Sequence, residues 1–328
     1  MKRVIYRQYG QPADVLELVE EDAGTPGAGE VMVRMEAAAM HIADLKNIRG
    51  EPEFRPPLPH MPGYEGIGRI AAVSKDAGGW QIGDRVFVLT MTGVWSEMLR
   101  VKAAGLIRAP EGDAVQLALL PLNPPTAYLI LEDFAHGLKP GDWIIQNAAN
   151  SSCGIYLAKL ARLRGLRSVN VVRRESLFPL VHEAGGDVVL VDGPDLAERV
   201  RAATGGAPIR LGVDAVAGAA TGRLAACLAD DATLLNYGAL AGEPCQIRPT
   251  DLFLHNIKLI GFWTKRQMAG RTPAAAAAVY EKMAALVADG TLRAQIAGVF
   301  PFSRVKDACA LAAQVGDARP GKVILVPG

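Results

Sequence analysis

Residues 144–174, IIQNAANSSCGIYLAKLARLRGLRSVNVVRR, set a turn of small polar residues between an apolar strand and a helix, and end on two arginines. A helix start presents backbone amides and the positive end of the peptide dipoles, so an anion is favoured there. Dinucleotide-binding turns carry three glycines. One makes the tight turn, one lets backbone approach the pyrophosphate, and one lets helix and strand pack closely. Aligned on Gly154, this turn has Ala149 and Ser151 at the first two places. Gly154 keeps the packing role, and Asn150, Ser151 and Ser152 add side-chain donors for a diphosphate. The same residues also suit a plain helix cap, in which Asn and Ser satisfy orphan amides and hold no ligand. Cys153 either packs as a small apolar residue or, if exposed at the helix start, has an acidified thiol.

The next strand bears on that choice. NAD-binding units place Asp or Glu near its end to hold the ribose 2′-hydroxyl. Here NVV is followed by Arg173, Arg174 and Glu175. Paired guanidiniums suit a 2′-phosphate, which points to NADPH. The bland alternative is a solvated strand end, with Glu175 pairing one of the arginines.

The elements that must position these residues fall into three zones. Residues 1–120 show short β-like runs between Gly/Pro turns, among them GEVMVRMEAAAM, GIGRIAAVS and GDRVFVLT, with a proline-rich loop at PPLPHMPGYEG (56–66). That pattern predicts a barrel-like β domain. In residues 121–263, apolar runs such as DWIIQN, SVNVV and DVVLVD alternate with helical periodicity. This is the signature of an α/β, doubly wound parallel sheet, the Rossmann arrangement. Residues 264–328 hold an alanine-rich amphipathic helix, a second helical pattern and a last strand, KVILVP, expected to return to the first domain.

Composition narrows the classes. With 328 residues, half of them hydrophobic, and a net charge of +1, the chain can bury two cores and has no electrostatic call for nucleic acid or an anionic membrane. The four cysteines, Cys153, Cys227, Cys245 and Cys309, form no CxxC pair, which suits reduced thiols in a cytoplasmic protein. MKRVIYRQYG lacks the apolar core of a signal peptide, and no apolar run is long enough to span a bilayer.

NPPTAY (123–128), LKPGDWIIQNAANSSCG, NVVRR, NYGAL (236–240), IKLIGFW (257–263) and PGYEGIGRI together resemble the medium-chain dehydrogenase/reductase superfamily, nearest its 2-enoyl thioester reductases and quinone oxidoreductases. The resemblance spans nearly the whole chain. It implies a GroES-like, β-rich catalytic domain, a Rossmann domain, NADPH, a cleft between the two, and a homodimer. It places Asn123, Thr126 and the backbone of Asn236–Leu240, including Tyr237, Gly238 and Ala239, near the nicotinamide. It sets Phe262 and Trp263 in the cofactor or substrate cleft, although Phe262 fits core packing equally well.

Two departures from that family bear on chemistry. Zinc-containing members use Cys and His ligands in the first domain. Here the matching stretches are HIAD (41–44) and PGYEG (62–66), with Tyr64 in the usual His place and no cysteine before Cys153. A closed N/S zinc site cannot be assembled from these residues. The enoyl reductases also carry a tyrosine just after the segment matching IRG (48–50). This chain continues EPEFRPPLP, so Tyr64 is the candidate substitute, or else a packed wall residue.

Without zinc, an alcohol substrate has no charge sink. A conjugated acceptor is easier, because hydride adds to the β-carbon and charge spreads to a carbonyl oxygen that one or two donors can hold. Tyr64, Thr126, His41 and a backbone N–H are the candidate donors. The expectation is an NADPH-dependent reductase of a small molecule with an activated C=C bond or a quinone. The alternative is a non-enzymatic NADPH-binding sensor or structural protein, whose cleft would be plugged by bulky side chains such as Phe54, Trp95 or Trp263.

Overall fold

The structure, a computed structural model, describes all residues except 52–54, 91 and 315–320. The chain folds as two units, residues 1–122 with 280–328, and residues 123–279.

The first unit is built on a seven-stranded sheet. Ile296–Pro301, Lys322–Val326, Glu30–Ala39, Glu65–Val73, Arg85–Leu89 and Ile107–Arg108 lie side by side, and Met98–Lys102 pairs with Glu30–Ala39. Lys2–Ile5 and Glu17–Glu20 form a separate antiparallel pair. Apolar alternation drives this arrangement: Val31, Val33, Met35, Val86, Val88 and Leu325 enter one core with Trp95 and Phe302. An eight-residue helix, Ile42–Arg49, follows the long Glu30–Ala39 strand and carries Asp44 and Asn47 on its buried side.

The second unit is a parallel six-stranded sheet in the order Val188–Val191, Arg167–Val172, Trp143–Gln146, Ile209–Asp214, Thr233–Asn236, Lys258–Gly261. Strand order reverses beside Trp143–Gln146, so the carboxyl ends of that strand and of Ile209–Asp214 flank a switch point, where such sheets bind ligands. The doubly wound α/β expectation therefore holds.

The third zone begins later than residue 264. The Thr264–Ala269 helix stays with the second unit because Thr264 is hydrogen-bonded to Thr126 and Arg271 is paired with Asp133 at 2.5 Å. The chain returns to the first unit at Tyr280, within the Pro273–Ala288 helix.

Candidate active site

The turn after Trp143–Gln146 leads into the Ser152–Leu163 helix, with Ser151 as its cap and its hydroxyl accepting from the Gly154 amide at 3.1 Å. The left-handed residue of the turn is Ala148, with φ 46°, one position before Ala149, which the alignment set at the place of the first glycine. Alanine tolerates that conformation at about 1 kcal/mol, which explains how the turn manages without its first glycine. Gly154 does what the alignment assigned it. A Cβ there would lie 2.7 Å from the Ala149 carbonyl oxygen and 2.8 Å from that of Ala148, both backbone atoms that cannot swing aside. Gly154→Ala should lower unfolding free energy by about 2 kcal/mol in urea denaturation, although alanine is the better helix former.

Buried polar groups brace the switch point. Asn147 donates to Asp214 at 2.6 Å and accepts from the Ala215 amide at 2.7 Å. The Asp214 carboxylate also takes the amides of Val216 and Ala217 and the hydroxyl of Thr221. Asn236 donates to that carboxylate at 3.3 Å and to the Gly238 carbonyl at 2.9 Å, which fixes the start of the 236–240 loop. From this loop Tyr237 hydrogen-bonds to both Ser151 and Cys153. Burial, then the Cys153 contacts, push its hydroxyl well up, and the bond from Ser151 acts the other way. Cys153 is 5% exposed, so the packing reading of that thiol stands. Gly238 and Ala239 continue the loop, and a Cβ at Gly238 would lie 2.7 Å from the Ala215 carbonyl oxygen.

Around this turn, Asn150, Ser151 and Ser152 are all partly exposed. Arg173 and Arg174 sit where the Arg167–Val172 strand ends. Arg173 is exposed and has no ion-pair partner among the described residues, while Arg174 is anchored through Nε to Ser176 Oγ at 3.0 Å. Asn123, at the start of the Asn123–Phe134 helix, has a buried side-chain Nδ2 with no hydrogen-bond partner among the described residues. Such a donor fits an amide or carbonyl acceptor on a bound molecule.

Three candidates change character. The Thr126 hydroxyl is 7% exposed and engaged with Thr264 at 2.5 Å, so its local role is to hold two helices together. Phe262 is 5% exposed and packs edge-on against Phe134 at 6.0 Å, which favours the core reading. Trp263 is 61% exposed with the Lys265 ammonium over its ring. Of the suggested plugs, Trp95 is fully buried in the first unit's core and Phe54 lies outside the described residues.

The first unit gathers a polar cluster that the sequence did not announce. His41 Nε2 lies 2.6 Å from Glu65 Oε1, and His41 Nδ1 lies 3.3 Å from Lys322 Nζ. An ammonium has protons only, so Nδ1 must accept and Nε2 must carry the proton given to Glu65. Burial, then the Lys322 charge, hold the His41 pKa well below its usual range, consistent with a neutral ring. Both nitrogens of His41 are thus committed, which removes it from the donors open to a substrate. Burial also raises Glu65 well above the carboxylate range.

Asp44 accepts the amides of His41 and Gly63 at 2.7 and 3.1 Å, and burial raises its carboxyl to about 7. A carboxyl raised from 3.8 gives stability that is full below pH 4 and is lost as pH climbs through about 7. Asp44→Asn should therefore gain on the wild type as pH rises from 4 to 7, by a few degrees in melting temperature read by scanning fluorimetry. A constant offset across that window would sink the assignment.

Tyr64 stands beside this cluster, half-buried, immediately before the Glu65–Val73 strand. Its oxygen accepts from Asn47 Nδ2 at 2.8 Å. Burial raises its pKa, and the Asn47 hydrogen bond opposes that. Its own proton has no acceptor among the described residues. Asn47, Glu65 and Lys322 escaped the sequence reading. The available signal was a carboxylate and an amide set into otherwise apolar positions of HIADLKNI and YEGIGRI.

The alcohol dehydrogenase GroES-like domain family matches residues 27–111. The family described as zinc-binding dehydrogenase matches residues 153–281. The mitochondrial enoyl-acyl-carrier-protein reductase of Rattus norvegicus is 30% identical over 280 residues, 83% of this chain and 75% of the rat protein. A putative NADPH:quinone reductase from Bacillus thuringiensis superposes with a TM-score of 0.88 at 26% identity, over 100% of this chain and 99% of that one. The Etr1p/NADP/crotonyl-CoA complex superposes with a TM-score of 0.83 at 22% identity, over 99% of each chain, a likeness of fold. The chain belongs to the medium-chain dehydrogenase/reductase superfamily, close to its enoyl reductases and quinone oxidoreductases.

Proposed function

We propose that this protein is a zinc-independent, NADPH-dependent reductase of activated C=C bonds or quinones. The observation that carries the reading is Tyr64, whose oxygen is already occupied by Asn47 and whose proton remains to be given. The names of the rat and Bacillus thuringiensis relatives agree with a reductase of this kind.

The residues present fit the coenzyme. Ser151, Ser152 and the helix start would seat the diphosphate, with Gly154 keeping the helix close enough to the strand for backbone to reach it. Arg173 and Arg174 would grip a 2′-phosphate. The unpartnered Asn123 Nδ2 would donate to the carboxamide of the nicotinamide. Phe262, packed against Phe134, would back the coenzyme site, and exposed Trp263 would be a wall of it.

When bound, the coenzyme supplies hydride to the β-carbon of the acceptor. Tyr64 donates its hydrogen bond to the acceptor's carbonyl oxygen as negative charge gathers there, so the chain holds the enolate-like oxygen without a metal. His41 cannot serve as a zinc ligand while its nitrogens face Glu65 and Lys322, which favours the zinc-independent reading.

No helix is long and apolar enough to cross a membrane among the described residues. The four cysteines are free thiols, which fits a reducing compartment such as the cytoplasm. A second copy would pair along Lys258–Gly261, the edge strand of the parallel sheet. Ile260, Leu252, Phe253 and Leu254 are exposed there, and light scattering should return twice the chain mass.

The test is steady-state oxidation of NADPH against crotonyl-CoA, a benzoquinone and a short enone. Turnover of at least one supports the proposal, and turnover of none overturns it.

A further inference from the structure

We propose that Asn47 is a positioning residue: by donating its amide hydrogen to the Tyr64 oxygen, it leaves the phenolic proton as the hydrogen that Tyr64 must give away. This rests on the reading of Tyr64 as the donor to the substrate oxygen.

The argument is one of hydrogen-bond valence. A phenol offers one proton and a lone-pair side. Asn47 Nδ2 fills the lone-pair side at 2.8 Å. The reversed amide would turn its carbonyl oxygen toward Tyr64 and take the phenolic proton. It would also strand an NH2 group with two donors inside the unit, a rarer defect than the unpartnered carbonyl oxygen present now. Asn47 is 8% exposed and rides on the Ile42–Arg49 helix, whose start is tied to the loop before Tyr64 through Asp44 and the Gly63 amide. Helix and tyrosine are therefore set as one piece. Asp44 is the titratable group that acts on the Tyr64 hydroxyl, and its charge disfavours ionisation there. Tyr6 lies close enough for a Tyr64 charge to raise its own pKa.

Two substitutions separate the roles. Asn47→Ala removes the donated bond. Asn47→Asp puts an acceptor where a donor stood and captures the phenolic proton. With carbon-13-labelled tyrosine, NMR titration of the free protein should show the Tyr64 pKa higher in Asn47→Ala than in wild type, and higher again in Asn47→Asp. In assays on the substrate that wild type reduces, Asn47→Ala should lower kcat about tenfold and Asn47→Asp about a hundredfold, with NADPH affinity unchanged. Tyr64→Phe combined with Asn47→Ala should be no slower than Tyr64→Phe alone. A Tyr64 pKa indifferent to residue 47, or fully additive losses in the double variant, would overturn the positioning role. If Tyr64→Phe itself keeps full activity, the underlying reading of Tyr64 fails instead.

Discussion

Tyr64→Phe should lower kcat by roughly a hundredfold or more while leaving the KM for NADPH nearly unchanged, the range found when one preorganised donor to a developing oxyanion is removed. The other three candidates make this the sharpest substitution. Thr126 is held by Thr264, His41 is shared between Glu65 and Lys322, and a backbone amide cannot be deleted by a side-chain change. The loss should fall on kcat, because the hydrogen bond strengthens only as charge reaches the carbonyl oxygen. Phenylalanine keeps the ring and forfeits only the hydroxyl, so the fold should survive with the Asn47 amide left unsatisfied at about 1 to 3 kcal/mol. Stopped-flow traces with a deuterated coenzyme would separate the chemical step from release. If Tyr64→Phe runs at the wild-type rate, the oxygen is held by something other than this phenol.

What could be read from the sequence follows the range over which each interaction acts. Apolar runs alternating with helical periodicity gave the parallel sheet, because burial on both faces leaves a local imprint. The arginines after NVV were legible for the same reason: they end a strand a fixed distance from a turn. Hydrogen bonds between distant parts of the chain leave no such imprint. Asn47 reaches Tyr64 across 17 residues, Thr126 meets Thr264 across 138, and His41 meets Lys322 across 281. Each pairing decided which candidate keeps a free proton, so the element list could not settle the chemistry. The turn shows a subtler limit. Ala148 takes a left-handed conformation that glycine usually announces, and alanine announces nothing. The chain does return to the first unit, but the residue at which it does so was hidden for a related reason. The alanine-rich helix reads as one element, yet the units divide within it, and only the Thr264 and Arg271 contacts show which end belongs where.

Coenzyme choice should rest on Arg173 and Arg174. Replacing both with alanine is expected to raise the Kd for NADPH about a hundredfold while the Kd for NADH stays within a few fold. Each charge-assisted bond to a phosphate contributes about 1.5 kcal/mol or more, and about 1.4 kcal/mol is a factor of ten. The two should not contribute alike. Arg174 is pre-oriented by its bond to Ser176, so less side-chain freedom is lost when it grips an anion. Arg173 is exposed and must be ordered by the ligand, and its share should shrink as salt rises and screens it. Arg174→Ala should therefore cost more affinity than Arg173→Ala at high ionic strength, with the gap narrowing at low salt. Glu175, exposed beside them, places one negative charge near the same phosphate, so Glu175→Gln should tighten NADPH slightly and leave NADH unmoved. Fluorescence titrations with both coenzymes at two salt concentrations read all of this directly. Equal losses for NADH and NADPH in the double variant would mean that the arginines hold the shared diphosphate or the fold, and that the 2′-phosphate is recognised elsewhere.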